Sequence, residues 1–171
     1  MSMSHTELTR VAFNWLIGSQ RCAVVVSELA TSGQERADSL GWKGGDSILV
    51  EVKVSIADLR ADLNKPWRSR RLELGMGHHR YYMVPPELEE PAAKVLPEGW
   101  GLLVPNGRGV NIIEYSRQFR ANRYRETLVL ESVIRRIAGE RHPLPGVGVK
   151  TYIHEMAPEN PVAMLSVAPE N

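Results

Sequence analysis

The spacing of apolar residues predicts a helix near the start of the chain and a strand after it. Ser4 and Glu7 have the spacing of a capping box, and apolar positions then recur every three or four residues. The predicted helix covers about residues 5–17, with a buried stripe formed by Leu8, Val11, Ala12, Trp15 and Leu16. A β-branched run over residues 22–29 predicts a strand buried on both faces.

Gly44 and Gly45 predict a tight turn between two strands, because glycine accepts the positive φ angles of a type I′ turn. Residues whose numbers sum to 89 then face each other, so Asp38 lies opposite Glu51. The period of two in a strand places Lys53 on the same face as Glu51. The opposite face is expected to be a buried set formed by Ile48, Val50, Val52 and Val54.

The rest of the chain alternates helices and strands. Ser55 caps a predicted helix with Ile56, Leu59 and Leu63 on its inner face, and Pro66 begins a shorter one. A fourth strand, a hairpin and a C-terminal helix are expected at residues 80–84, 100–113 and about 122–139. The predicted fold is therefore α/β, with a three-stranded antiparallel meander between the first two helices.

Length and composition favour one domain in a reducing compartment. The chain has 171 residues and a single cysteine, Cys22, so no disulfide can form within it. No apolar run has the length of a membrane span and no signal peptide is recognised, so a cytoplasmic protein is expected. Residues 1–141 are predicted to form the domain. Residues 142–171, rich in proline and glycine at their start, are predicted to form an arm or loosely ordered tail that could join two copies into a homodimer.

The predicted hairpin brings two carboxylates together. Asp38 and Glu51 would lie about 5 Å apart at Cβ, where two like charges destabilise a sheet. A cation between them removes this repulsion, and Lys53 lies beside them. Two carboxylates can hold Mg²⁺ while water and a phosphate complete its coordination. This arrangement is suited to cleaving phosphodiester bonds.

The same residues carry a family resemblance. Asp38, the twelve residues after it, and Glu51-Val52-Lys53 at the end of an apolar strand resemble the signature of the PD-(D/E)XK nuclease superfamily. Within that superfamily the chain is most similar to the MmcB-like DNA repair family, over about residues 5–115. The family pattern usually has proline where this chain has Ala37. The segments that carry the likeness are 36–38, 48–53, 57–62 with Lys65, 81–86 and 96–103.

The resemblance implies a fold and an activity. The fold is a restriction-endonuclease-like core, in the order αβββαβ, with a mixed sheet flanked by helices and an added C-terminal hairpin and helix. The activity is that of a DNA nuclease of repair or restriction type that uses Mg²⁺ or Mn²⁺. Asp38, Glu51 and the backbone carbonyl of Val52 would bind the metal. Lys53 would position or help deprotonate the attacking water.

A further carboxylate at the metal has two candidates. The superfamily commonly supplies a glutamate from the first helix, which here is Glu7, but a glutamate at this position is also a cap partner. Glu28 lies near the end of the first strand, close to the expected position of Asp38, and it could equally be a solvent-facing residue beside a turn. The sequence leaves both alternatives open.

The charge distribution indicates DNA contacts more clearly than the net charge, which is only +1. Residues 65–71 carry four cations and no acid, and Lys65, Arg68, Arg70 and Arg71 are predicted to contact DNA phosphates. Residues 117–125 hold a second acid-free cluster of four arginines, for which an ordinary solvated surface is equally expected.

Two other functions are compatible with the sequence. One is a DNA-binding or complex-forming module that keeps the nuclease fold without cutting. The other is a structural hairpin in which Glu51 and Lys53 are surface residues.

Overall fold

The computed structural model describes residues 3–29 and 36–137 of the chain. These residues form an α/β structure, as the sequence predicts. The predicted arm at residues 142–171, and a homodimer formed through it, lie outside the described residues.

A six-stranded mixed sheet has its strands in the order of the sequence. The first three strands form an antiparallel meander, the third, fourth and fifth are parallel, and the last two form an antiparallel hairpin. The meander is therefore confirmed. The strands are β1 (Val24–Ser27), β2 (Ser39–Lys43), β3 (Asp46–Val52), β4 (His79–Met83), β5 (Gly101–Pro105) and β6 (Val110–Glu114).

Five α-helices accompany the sheet, and none within the described residues is long and apolar enough to cross a membrane. The predicted caps are present: the Ser4 hydroxyl accepts from the Glu7 backbone N–H, and the Ser55 hydroxyl accepts from the Asp58 backbone N–H. The helices are α1 (His5–Gly18), α2 (Ile56–Asp62), α3 (Pro66–Ser69), α4 (Glu89–Ala93) and α5 (Arg123–Ile137).

Two apolar cores lie on opposite faces of the sheet. The first face packs against α1, with Ile48, Val50 and Val52 of β3 buried beneath Leu8 and other residues of that helix. The second face packs against α2, α4 and α5, and it includes Leu49 of β3. Glu51 follows Leu49 by two residues, so the strand period places its side chain on this second face.

The β2–β3 hairpin has the predicted register. Ser39 pairs with Val50 and Lys43 with Asp46, so the paired numbers sum to 89, and Gly44 and Gly45 have φ angles of 57° and 91°. The expectation that Val54 is buried was wrong, because β3 ends at Val52 and the exposed fraction of Val54 is 38%.

The connection between β3 and β4 crosses the second face of the sheet. Because these two strands are parallel, the chain must return from the carboxyl end of β3 to the amino end of β4. Buried Arg80 fixes the end of this crossover, since its guanidinium donates to the carbonyl oxygens of Leu72 (2.9 Å), Gly75 (3.1 Å), Gly77 (3.0 Å) and Arg120 (3.4 Å).

A buried carboxylate attaches the start of α5 to Ser47 at the start of β3 and to Gly77 at the end of the crossover. The Oε1 atom of Glu126 accepts from the Ser47 hydroxyl at 2.6 Å and from the Gly77 backbone N–H at 2.9 Å. Glu126 is only 2% exposed, so these bonds replace those it would make with water.

We expect Glu126→Ala to lower the free energy of unfolding by about 2 kcal/mol, because it leaves the buried Ser47 hydroxyl and the Gly77 N–H without this acceptor. Urea denaturation measures the change. The matched control is Glu131→Ala on the same helix. Its exposed pair with Arg135 (3.4 Å) contributes about 0.5 kcal/mol or less. Equal losses in the two variants would contradict the anchoring role.

Candidate active site

Asp38, Glu51 and Lys53 converge at one end of the β2–β3 hairpin. Asp38 directly precedes β2, and its Oδ2 atom accepts from the Val52 backbone N–H at 2.7 Å. The Nζ atom of Lys53 lies 3.6 Å from the Oε2 atom of Glu51. The charge of Asp38 also contributes to a raised pKa of Glu51, as expected for neighbouring carboxylates. The three side chains therefore lie near one another at this end of the hairpin, close enough for their charges to interact.

Asp62 and Arg68 complete a buried ion network with this group. The Nη2 atom of Arg68 lies 2.7 Å from Oε1 of Glu51, and its Nε donates to Oδ2 of Asp62 at 2.8 Å. Lys53 also lies 3.7 Å from Asp62. The side chain of Arg68 is fully buried, and those of Glu51 and Asp62 are 2% exposed. Each charge in the network thus has an opposite charge beside it, as burial requires.

Aromatic residues form one wall of this network. The Tyr82 hydroxyl donates to Oδ2 of Asp62 at 2.7 Å, and the Tyr82 ring stacks on Trp100 at 4.5 Å between centroids. The guanidinium of Arg68 lies 5.1 Å from the centre of the Trp100 ring. These rings exclude water from one side of the charges, which strengthens the electrostatic interactions there.

The pKa values of the two buried acids, Glu51 and Asp62, are shifted in opposite directions. Burial raises the pKa of Glu51 to about 7, even though the charge of Arg68 opposes this effect. Burial also acts to raise the pKa of Asp62, but the charges of Arg68 and Lys53 outweigh it and hold that pKa below its usual range. Glu51 is therefore the acid whose ionised form is less fully compensated by the surrounding cations.

Lys53 is held in its charged form. Burial acts to lower its pKa, but the nearby charges of Glu51, Asp62 and Asp38 raise it above the ordinary value. The ammonium can therefore supply positive charge to a neighbouring oxygen. This arrangement does not favour the expected deprotonation of water by Lys53, which would need a lowered pKa.

The first helix brings His5 to Asp38. The Nε2 atom of His5 lies 3.5 Å from Oδ1 of Asp38, and the Thr9 hydroxyl lies 3.4 Å from the Nδ1 atom of His5. The hydrogen bond to Asp38 raises the pKa of His5. Although burial acts to raise the pKa of Asp38, the bonds from His5 and Val52 lower it overall. His5 thus helps to keep Asp38 ionised.

The two candidate extra carboxylates occupy different places. Glu7 is exposed, and its Oε2 atom accepts from the backbone N–H (2.7 Å) and the hydroxyl (2.8 Å) of Ser4, which is the capping alternative. Glu28 is half-buried, and its backbone N–H donates to the Asp38 carbonyl at 3.1 Å. Its charge also contributes to the raised pKa of His5. Of the two, Glu28 is next to Asp38.

The predicted phosphate-binding cations divide into exposed and buried residues. Arg70 and Arg71 are exposed, and Lys65 is 46% exposed, with its Nζ 2.5 Å from Oδ1 of Asp62. The expectation for Arg68 needs correction. Its guanidinium is enclosed between Glu51, Asp62 and Trp100, so it lies inside the network instead of on a surface open to DNA.

Sequence reasoning missed Asp62, Tyr82 and His5 as members of this site. Asp62 had a signal, because it lies one helical turn after Leu59 and so belongs to the inner stripe of α2, where an unpaired acid would be costly. Tyr82 and His5 reach the site through tertiary packing, which no local spacing indicates.

We expect Asp62→Asn to lower the free energy of unfolding by about 3–5 kcal/mol at neutral pH, because buried Arg68 and Lys53 then share Glu51 as their one remaining acid in the network. The depressed pKa of Asp62 means that its stabilising contribution is present above the unfolded value near pH 4 and is lost as pH falls further. The deficit of the variant should therefore shrink below about pH 4. Urea denaturation at several pH values measures it.

The control for that experiment is Asp58→Asn, an exposed acid on the same helix. It should change stability by about 0.5 kcal/mol or less. A deficit of Asp62→Asn that stays constant down to pH 3 would contradict the role of its negative charge.

Comparisons with known proteins support the fold and not an activity. No family model matches this chain, and no curated protein matches it. A solved structure of a protein of unknown function from Silicibacter pomeroyi is similar, with a TM-score of 0.60 and 23% sequence identity. The match covers 85% of this chain and 96% of that one. At this identity the likeness shows a shared α/β fold alone.

Proposed function

We propose that this protein is a metal-dependent DNA nuclease with a restriction-endonuclease-like core. The observation that carries the proposal is the position of Asp38 beside the end of β3, where its Oδ2 accepts from the Val52 N–H at 2.7 Å, with the Lys53 ammonium 3.6 Å from Glu51. The resemblance to the PD-(D/E)XK superfamily supports it, because the residues of that signature are the ones that meet here.

The donor set is compatible with Mg²⁺ or Mn²⁺. Asp38, Glu51 and the Val52 carbonyl offer only oxygen ligands, and Mg²⁺ is commonly held by one or two carboxylates together with substrate phosphate and water. The described residues contain no group of three or more His, Cys, Asp or Glu side chains that could hold a metal ion, so the proposed protein ligands are two carboxylates and one carbonyl. The raised pKa of Glu51 indicates that additional positive charge would be favourable there. A bound divalent ion would supply Lewis-acid stabilisation of the phosphate.

The residues of the chain have separate roles in this proposal. Lys53 donates to a phosphate oxygen and offsets the negative charge that develops on it, which suits an ammonium with a raised pKa. His5 and the Val52 N–H hold Asp38 ionised and oriented. Lys65, Arg70 and Arg71 bind phosphates on either side of the cleaved bond without reading bases.

One observation favours a second function, a module that binds DNA without cutting it. Arg68 already lies 2.7 Å from Glu51, and Asp38, Glu51 and Asp62 are balanced by Lys53, Lys65 and Arg68. A network that is neutral by itself can be stable with no metal. In that case the cations on the surface would bind DNA while the buried acids would serve stability.

Cleavage assays distinguish the two functions. We expect wild-type protein to cut linear, circular, single-stranded or branched DNA with Mg²⁺ or Mn²⁺, and Asp38→Asn, Glu51→Gln and Lys53→Met each to lower the rate by about 100-fold or more. Asp58→Asn should retain wild-type activity. Metal-dependent cutting unchanged in the first two variants would remove those residues from the mechanism. Salt-sensitive DNA binding with no product in either metal would favour the second function.

Thermal unfolding measures metal binding separately from cleavage. A ligand that binds only the native state stabilises it, by about 2.7 kcal/mol at a concentration 100-fold above its dissociation constant. We therefore expect Mg²⁺ or Mn²⁺ to raise the unfolding temperature of the wild type, and Asp38→Asn to reduce this shift. A shift of the same size in both proteins would place the bound ion elsewhere.

A further inference from the structure

The segment that joins β6 to α5, together with the first turn of that helix, carries exposed arginines and an exposed aromatic ring. Tyr124 is 75% exposed, an unusual state for so large a ring. It stands between Arg123 and Arg125 in the sequence, and Arg120 is exposed just before the helix. We call Arg70, Arg71, Arg120, Arg123 and Tyr124 the arginine–tyrosine surface.

Contacts within the fold bring the two halves of this surface together. The guanidinium of Arg125 lies 5.2 Å from the centre of the Trp67 ring, which attaches the start of α5 to α3. The charge of Arg120 helps to lower the pKa of Glu73, the acid that also pairs with Arg71. Arg120 and Arg71 are therefore neighbours, although about 50 residues separate them in the sequence.

Hydrogen bonds fix the backbone that carries this surface. Arg80 binds the carbonyl oxygens of Leu72, Gly75 and Arg120, and the Asn122 backbone N–H donates to the Gly75 carbonyl at 2.9 Å. Glu126, the acid nearest to Tyr124 in the sequence, points into the core and is 2% exposed. Two exposed acids lie beside the group: Glu73, at 50%, pairs with Arg71, and Asp46, at 52%, follows Gly45, to which Arg123 donates. Four arginines against these two acids leave the exposed side positive.

The β3–β4 crossover joins this surface to the candidate active site. Glu51 lies at the carboxyl end of β3, whereas the Arg123 guanidinium donates to the Gly45 carbonyl beside the amino end of that strand, at 2.9 Å. The chain from Gly45 to Glu51 spans about 20 Å at 3.3 Å per residue. Lys65, Arg70 and Arg71 occur along the crossover between these two ends.

We propose that the arginine–tyrosine surface binds single-stranded DNA, with Tyr124 stacking on a base and the arginines contacting phosphates. Proteins that bind single strands combine a basic surface with an aromatic ring on which bases stack, because every base presents a π face. The bases of a duplex are paired and stacked on one another, so an exposed tyrosine gains such a contact only from an unpaired strand. This inference extends the proposed nuclease by naming the form of its substrate.

Binding without divalent ions tests this inference separately from cleavage. Fluorescence anisotropy with a labelled single-stranded 20-nucleotide DNA in EDTA should give saturable binding by the full chain. Tyr124→Ala should weaken it about tenfold, the effect of losing one base stack. Tyr124→Phe should bind like wild type, since the ring and not the hydroxyl makes the contact.

Charge variants test the arginines. The Arg120→Ala, Arg123→Ala double variant should bind more weakly and show a shallower dependence on salt, by about 1.4 in the log–log slope for two phosphate contacts on a single strand. Arg135→Ala is the control, because Arg135 is exposed near the far end of the same helix. It should leave both quantities unchanged.

Several outcomes would overturn the inference. These are no binding of single-stranded DNA, equal binding by wild type and Tyr124→Ala, or an equal loss by Tyr124→Ala on a blunt duplex of the same length. A protein that binds single strands as described but gives no product with Mg²⁺ or Mn²⁺ would retain this inference and lose the proposed nuclease.

Discussion

The pairing of Arg68 with Glu51 and Asp62 is the interaction on which the candidate site depends. Arg68 comes from a single-turn helix, and its guanidinium enters a space closed by Trp100 and Tyr82. Without this cation, two acids would lie buried with only Lys53 and the partly exposed Lys65 as counter-charges, at a cost of several kcal/mol. The crossover between β3 and β4 is thereby fastened to the sheet at the same point where the chemistry is proposed.

The same pairing affects the protonation of the two acids differently. The pKa of Glu51 is raised even with Arg68 beside it, whereas that of Asp62 is lowered by the same guanidinium. The site therefore holds one acid as a fixed counter-ion and leaves the other short of positive charge. Such asymmetry between neighbouring carboxylates is a common feature of functional sites, and also occurs in structural ion networks.

Local rules predicted much of the fold. The helix caps at Ser4 and Ser55, the period of two in β3 and the Gly44-Gly45 turn each depend on residues close in sequence. The hairpin register followed from the turn. The positions of Asp38, Glu51 and Lys53 came from the same register. Arg68 was misplaced because an arginine in a basic run resembles a surface residue, and its burial depends on Trp100, more than 30 residues away.

The two-glycine turn has a consequence for how this chain can change over generations. Side chains in a strand alternate between faces, so a slip of one residue in the pairing of β2 with β3 would send Asp38 to the face opposite Glu51. A residue gained at the turn must therefore be absorbed within the loop, for example as a three-residue loop with a bulge, if the acid pair is to survive. Loop length in this hairpin can thus vary only where the strand register does not.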